Sequence, residues 1–131
     1  MKSSLDVLSA LYQLLNVSAV TNEISGKVYI GDPDSKSQLE DVTVNSLANR
    51  VEYLQQGILN LNIYAYQLKS GRANLARFQE LVGLISPMVD DVAIGDYHFQ
   101  INDDKGIFKD IDKDGMFFYN IRLDFQILKN I

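Results

Sequence analysis

Apolar residues recur along the chain with two periods, and these periods divide it into helices and strands. Near the N-terminus Leu5, Leu8, Tyr12 and Leu15 fall at steps of three and four, and Leu11 and Leu14 widen the stripe. This predicts an amphipathic helix of about three turns, capped by Ser3 or Ser4, with Asp6 near the positive end of its dipole and Asn16 at its end. Ser18 to Ser25 read as a short second helical turn stopped by Gly26. Lys27 to Ile30 then read as a short strand, Gly31 to Ser37 as a Gly- and Asp-Pro-containing loop, and Val42 to Leu47 as a second strand. Ala48 to Gln56 fits either a long connection or an extended hairpin arm.

The second half carries the stronger signals. From Ile58 to Leu68, Leu59, Leu61, Ile63 and Ala65 alternate with Asn60, Asn62, Tyr64 and Tyr66. The first set belongs to a core and the second to solvent or a partner. Ser70-Gly71 opens the predicted main helix, whose stripe is Leu75, Phe78, Val82, Ile85 and Val89, broadened by Leu81, Leu84 and Met88. Pro87 lacks an N–H, so this helix kinks or ends near Ser86. Tyr97, Phe99 and Ile101 alternate with His98 and Gln100 as a strand, and a polar stretch from Asn102 to Gly115 follows. From Phe117 to Ile127 the alternation is strict, the mark of a long half-buried strand. Two amphipathic helices on one face of a mostly antiparallel sheet, an α+β fold, would bury every stripe. Leu61, Ile63, Leu123 and Phe125 should then meet Phe78 and Val82 in the core.

The composition narrows the function classes. With 131 residues, 47% hydrophobic and 22% charged, the chain is an ordinary globular one and is read as a single domain over residues 1–131. No apolar run approaches the ~20 residues of a bilayer span, and the N-terminus carries an early acid, so neither a membrane segment nor a secretory signal is expected. Asn16-Val17-Ser18 matches a glycosylation sequon, which has no meaning without secretion. The absence of cysteine excludes disulfides, thiolate nucleophiles and the common structural zinc sites. A net charge of −5 and no basic cluster argue against generic nucleic-acid binding.

Three motifs bear on chemistry. Asp110-Ile111-Asp112-Lys113-Asp114-Gly115 has the opening of a calcium loop, but its twelfth position is Ile121 where a bidentate Glu belongs. An acidic hairpin turn with Gly115 at positive φ is the expected structure. His98 with Asp96 is half of a general-base pair, but no nucleophile elbow accompanies it. Gly26 and Gly31 flank a strand without a phosphate-loop pattern and read as strand boundaries. No catalytic residue, metal ligand or cofactor is therefore assigned, and the chain is read as a non-enzyme. Tyr64, Tyr66, Met116 and Phe118 should point away from the core and add apolar surface suited to a partner. Open strand edges should add to self-association, since Pro33 lies in a loop and guards none of them.

The order Leu8-Ser9-Ala10-Leu11-Tyr12-Gln13-Leu14-Leu15, Gly26-Lys27-Val28-Tyr29-Ile30, Glu40 to Leu47, Gly57 to Tyr64 and Tyr119 to Phe125 resembles the small tail-completion, or tail-terminator, proteins of long-tailed bacteriophages and prophages. The resemblance covers nearly the whole chain by order and length; the connection from Ala48 to Gln56 departs from it. It implies a homo-oligomeric ring, a hexamer, that caps the tail tube and joins it to the head connector, with DNA passing through without specific binding. It also implies assembly in the bacterial cytoplasm and residence in the virion tail. Subunit contacts are expected from Asp32, Pro33 and Asp34 in the first loop, Arg50 and Tyr53 in the long connection, and Tyr64, Tyr66, Met116 and Phe118. The alternative class is a small-ligand or peptide-binding α+β module with its pocket between helix and sheet, and a third is a hydrolase using His98 with Asp96.

Overall fold

The computed structural model describes residues 4–33, 36–46 and 56–128. In chain order they form α1 (Ser4–Leu15), α2 (Ser18–Thr21), β1 (Val28–Ile30), β2 (Val42–Ser46), β3 (Gln56–Tyr66), α3 (Leu75–Val89), β4 (Val92–Ile94), β5 (Tyr97–Lys109) and β6 (Met116–Ile127). The six strands make one curled sheet in the order β1-β2-β3-β6-β5-β4. Only β1 and β2 run parallel; the other neighbouring pairs are antiparallel. This is the α+β architecture expected from the alternation and the helical stripes. Ser3, the side chain of Ser4, Leu47 and the connection up to residue 55 lie outside the described residues, and the expected cap of α1 with them.

The core lies between the helices and one face of the sheet. Leu59, Leu61 and Ile63 of β3 and Ile121, Leu123 and Phe125 of β6 are buried there with Val42 and Val44 of β2 and Phe99 of β5. α1 covers the β1–β2 side, and α3 covers β3, β5 and β6 and touches α1. Val82 packs on this cluster from α3, as expected. Phe78 is also buried, with its ring 6.2 Å from that of Tyr119.

Several boundaries differ from the sequence reading, each for a local reason. The buried face of α1 is Val7, Leu8, Leu11 and Leu15, and Leu5 is 66% exposed, so the stripe is rotated from the one drawn through the leucines. α3 begins at Leu75, not at Ser70-Gly71, because Asn74 is its cap and accepts from Arg77 N at 3.2 Å. It continues through Pro87 to Val89, since a proline in the last turn interrupts only one bond near an end. β3 starts at Gln56 and stops at Tyr66, short of Leu68. β4 was not anticipated; it pairs Val92–Ile94 with Tyr97–Phe99 through the tight Gly95-Asp96 turn. The polar stretch after Ile101 is the continuation of β5 to Lys109, carried past register shifts at Ile101/Asp103 and Asp104/Gly106.

Two polar devices tie the connections to this frame. The Asp41 carboxylate is buried and accepts from Lys27 N at 3.0 Å and from Ser37 Oγ at 2.6 Å, holding the β1–β2 connection closed. A side chain at Gly26 would run into that carboxylate and lie 2.6 Å from Glu40 O. Arg77, in the first turn of α3, donates from Nε to Glu40 Oε2 at 2.6 Å and from Nη2 to Glu40 Oε1 at 2.9 Å. It also reaches Glu23 O at 2.7 Å and Glu23 Oε1 at 3.1 Å. One guanidinium thus joins α3 to two loops, and it holds the Glu40 carboxyl below its usual range.

Candidate functional site

Because the helices occupy one face, the chemistry available to a partner lies on the other face and at its ends. The register brings Asn45, Asn60, Asn62 and Asn120 side by side on that outer face. Asn60 Nδ2 donates to Asn45 Oδ1 at 3.1 Å. Asn120 Nδ2 donates to Asn60 Oδ1 at 3.2 Å and to Asn62 Oδ1 at 2.7 Å. The amides hydrogen-bond to one another across three strands, so the middle of the face is a polar ladder.

At one end of the face the pairing changes from amide to aromatic. Tyr64 lies opposite Phe118, and Phe118 opposite Phe108. Their ring centroids are 5.5 Å apart for Tyr64–Phe118 and 5.6 Å for Phe108–Phe118. Here a cavity of about 530 Å³ opens between the rings, the Asp32-Pro33 corner of the first loop and the Lys109–Lys113 turn. The turn is the hairpin expected from the acidic motif. Asp110 Oδ1 accepts from the N–H groups of Asp112 at 2.9 Å and Lys113 at 3.3 Å, and Gly115 stands at φ +77°. That φ is glycine's region, and the Tyr66 ring presses on the same residue.

Lys113 is the unusual member of this site. It is 8% exposed, and its Nζ is buried with no hydrogen-bond acceptor. Among the described residues its partner is the Tyr64 ring, 5.1 Å from Nζ to the centroid. A cation over an aromatic face recovers part of the desolvation cost, but an ammonium left without an acceptor still lacks most of its hydration. Burial raises the Tyr64 phenol to about 12, with Asp110 and Asp32 adding to the effect, so the ring is neutral at ordinary pH. Ile111 at the tip of the turn is 95% exposed and Phe108 is also exposed, so apolar side chains stand at the mouth of the cavity.

The expected contact residues fare differently. Asp32, Pro33, Tyr64 and Phe118 are brought together around the cavity, whereas Tyr66 stands exposed beside Gly115. Tyr64 and Met116 are not the exposed residues that alternation suggested. Tyr64 is walled in by the first loop and the hairpin, and Met116 is fully buried at the hairpin base, where Asp110 N donates to its carbonyl. Asp34, Arg50 and Tyr53 lie outside the described residues. Sequence reasoning did not single out Phe108 or Lys113, because both lie in the stretch read as a polar connection. The cavity is not between helix and sheet, as the ligand-binding alternative expected; no helix contributes to its lining.

His98 has a carboxylate partner, but it is Asp91, whose Oδ1 lies 2.8 Å from Nε2. The shallow depression beside it, about 90 Å³, is lined by His98, Gln100, Asp124 and Gln126 and presents no hydroxyl or amine nucleophile. Among the described residues no helix is long and apolar enough to cross a membrane. In comparisons with known protein families and with characterised proteins, this sequence matches no family model and no characterised protein.

Proposed function

We propose that this protein is a structural subunit that works by association with copies of itself, as a ring of the tail-terminator type that caps a phage or prophage tail tube and joins it to the head. The order of elements and the α+β sheet with two helices on one face support the class. The observation that carries association is the buried, acceptor-less Lys113 ammonium beside an aromatic cavity whose rim exposes Phe108 and Ile111. A surface of this kind is incomplete in one chain: it offers a donor and apolar area that only another molecule can use. An acidic chain would suit a ring through which DNA slides, since few cations face the phosphates. The experiment is sedimentation of the protein over a wide concentration range, with and without purified tail tubes, followed by electron microscopy of tube ends. Rings in solution, or density capping the tubes, is the expected result. A monomer at high concentration that neither binds nor caps tubes refutes it.

A second reading has a specific observation in its favour. The cavity volume lies within the ~300–1,000 Å³ range of small-molecule sites, and Lys113 is a buried polar group among the charged residues that line it. In that reading the protein is a small α+β binding module. A ligand-dependent rise in melting temperature, abolished by Lys113→Met, with no change of mass on sedimentation, would favour it over the ring.

A further inference from the structure

We propose that the occupant of the Lys113 cavity is the Gln67–Arg72 turn of a second copy of this chain. The inference rests on the ring reading and specifies its contact.

The cavity states what its occupant must carry. The aromatic wall of Tyr64, Phe108 and Phe118 requires an apolar side chain. Lys113 requires an acceptor that brings little negative charge, because Asp32, Asp110 and Asp112 outnumber Lys109 and Lys113 around the same opening and would repel a carboxylate. A backbone carbonyl meets that need. Rotation about the terminal bonds of Lys113 turns Nζ from the Tyr64 ring toward such an oxygen. The acidic opening, for its part, favours a cation flanking the apolar residue.

Several exposed apolar residues sit beside acids: Ile111 lies between Asp110 and Asp112, Leu39 precedes Glu40, and Leu5 precedes Asp6. Leu68 sits instead in a turn that carries two cations. It is exposed, it is followed by Lys69, and Arg72 closes the same turn through Leu68 N to Arg72 O at 2.8 Å. The side chains of Lys69 and Arg72 make no ion pair among the described residues. The turn is braced by Gly71 N to Leu68 O at 2.8 Å and anchored by Gln67 N to Gly115 O at 2.8 Å, so it is presented as a formed structure. A preformed turn loses little conformational entropy on docking. The turn lies beside the hairpin that walls the cavity but shares no lining residue with it, so one neighbour can receive the turn while another fills the cavity, and repetition of that contact closes a ring when the rotation permits.

The chain has no cysteine, which allows a direct test. Ser70→Cys and Ile111→Cys are prepared as separate proteins, leaving Leu68, Lys113 and the aromatic rings intact. They are mixed at tens of micromolar under mild oxidation. Docking raises the local thiol concentration toward the millimolar range, so Ser70–Ile111 heterodimers should form at least ~10-fold faster than either homodimer. Lys113→Met in the Ile111→Cys partner should remove that advantage without lowering the melting temperature. Heterodimers no faster than homodimers, or no faster than a Leu5→Cys and Ile111→Cys mixture, overturn the proposal. Sedimentation of the unmodified chain separates the two failures. Rings without the Ser70–Ile111 bridge refute this contact and leave the ring standing, whereas a monomer that also ignores tail tubes refutes both.

Discussion

Replacing Arg77 by methionine keeps most of the aliphatic stem and deletes the guanidinium that holds α3 to two loops. The loss is the bidentate pair to Glu40, at 2.6 and 2.9 Å, and the bonds to Glu23, at 2.7 and 3.1 Å. Charge-assisted hydrogen bonds contribute about 1.5–3 kcal/mol each where they are shielded from water, and they do not add when they share one group. Here the Arg77 and Glu40 side chains are 21% and 18% exposed, so solvent weakens but does not erase the pair. Removing a cation from the first turn of a helix returns a few tenths of a kcal/mol through the dipole. The net expectation is a loss of about 2–3 kcal/mol at pH 7, or roughly 10 °C in melting temperature for a domain of this size. Because Arg77 depresses the Glu40 carboxyl below its ordinary 4.5, the pair's stabilisation is in place above that pH and fades as pH falls through the lowered value. Urea melts of the parent, Arg77→Met, Glu40→Gln and the double variant over a descending pH series from pH 7 measure it, with a coupling of about 1–2 kcal/mol expected at neutral pH and shrinking as acid protonates Glu40. An absence of coupling between Arg77 and Glu40 at neutral pH would refute the electrostatic account and assign the effect to packing of the arginine stem.

Three further outcomes follow from the same geometry. Phe125→Ala should cost about 3–5 kcal/mol by chemical denaturation, since the ring is buried in the core; a change under about 1 kcal/mol would mean that the sheet faces are assigned backwards. Gly26→Ala should cost about 1–3 kcal/mol, because its methyl meets the Asp41 carboxylate and the Glu40 carbonyl, and an unchanged melt would show that the β1–β2 connection yields freely. Tyr64 and Tyr119 phenols are both raised to about 12, in each case first by burial, so a 295 nm titration should show a late component that each residue's Phe variant reduces. Raised folded values mean that this stabilisation is complete below pH 10 and is lost between about 10 and 12; tyrosine absorbance complete by pH 11 in the folded protein would contradict it.

What the sequence made legible, and what it hid, follows from how each signal is encoded. β3 and β6 alternate strictly because one face of each is a core and the other is not, and that asymmetry is written into the residue order. The far half of β5 has no such asymmetry. It borders β6 on one side only, and its bulges around Asp103 and Gly106 shift the period, so a real strand reads as a polar connection. Alternation also reports which face a side chain is on and not whether something covers it. Tyr64 was assigned to the right face and the wrong environment, because its cover comes from loops distant in sequence. Lys113 carries no periodic signal at all. Its burial results from folding a short turn back over an aromatic ring, and a lysine in an acidic turn looks like a solvated charge until that turn is closed.

One of the strand edges expected to carry association is blunted. Beyond Phe99 the outer edge of β5 has no described neighbour strand, yet it carries two register shifts, Asp103, Asp104 and Lys105, and the Asp90 carboxylate accepts its Ile101 N–H at 3.0 Å. These features discourage a backbone ladder with another chain. The inner face is covered by α1 and α3, and the amides at the middle of the outer face hydrogen-bond to one another. Among the described residues, the hairpin end of the outer face is where unsatisfied donor and exposed apolar area coincide. A contact built there depends on a few side chains, unlike a shared sheet, and its selectivity comes from Lys113. A partner that fills the aromatic wall but offers no acceptor gains the apolar contact while leaving a buried ammonium unpaired, and that penalty is what separates the right surface from a merely greasy one.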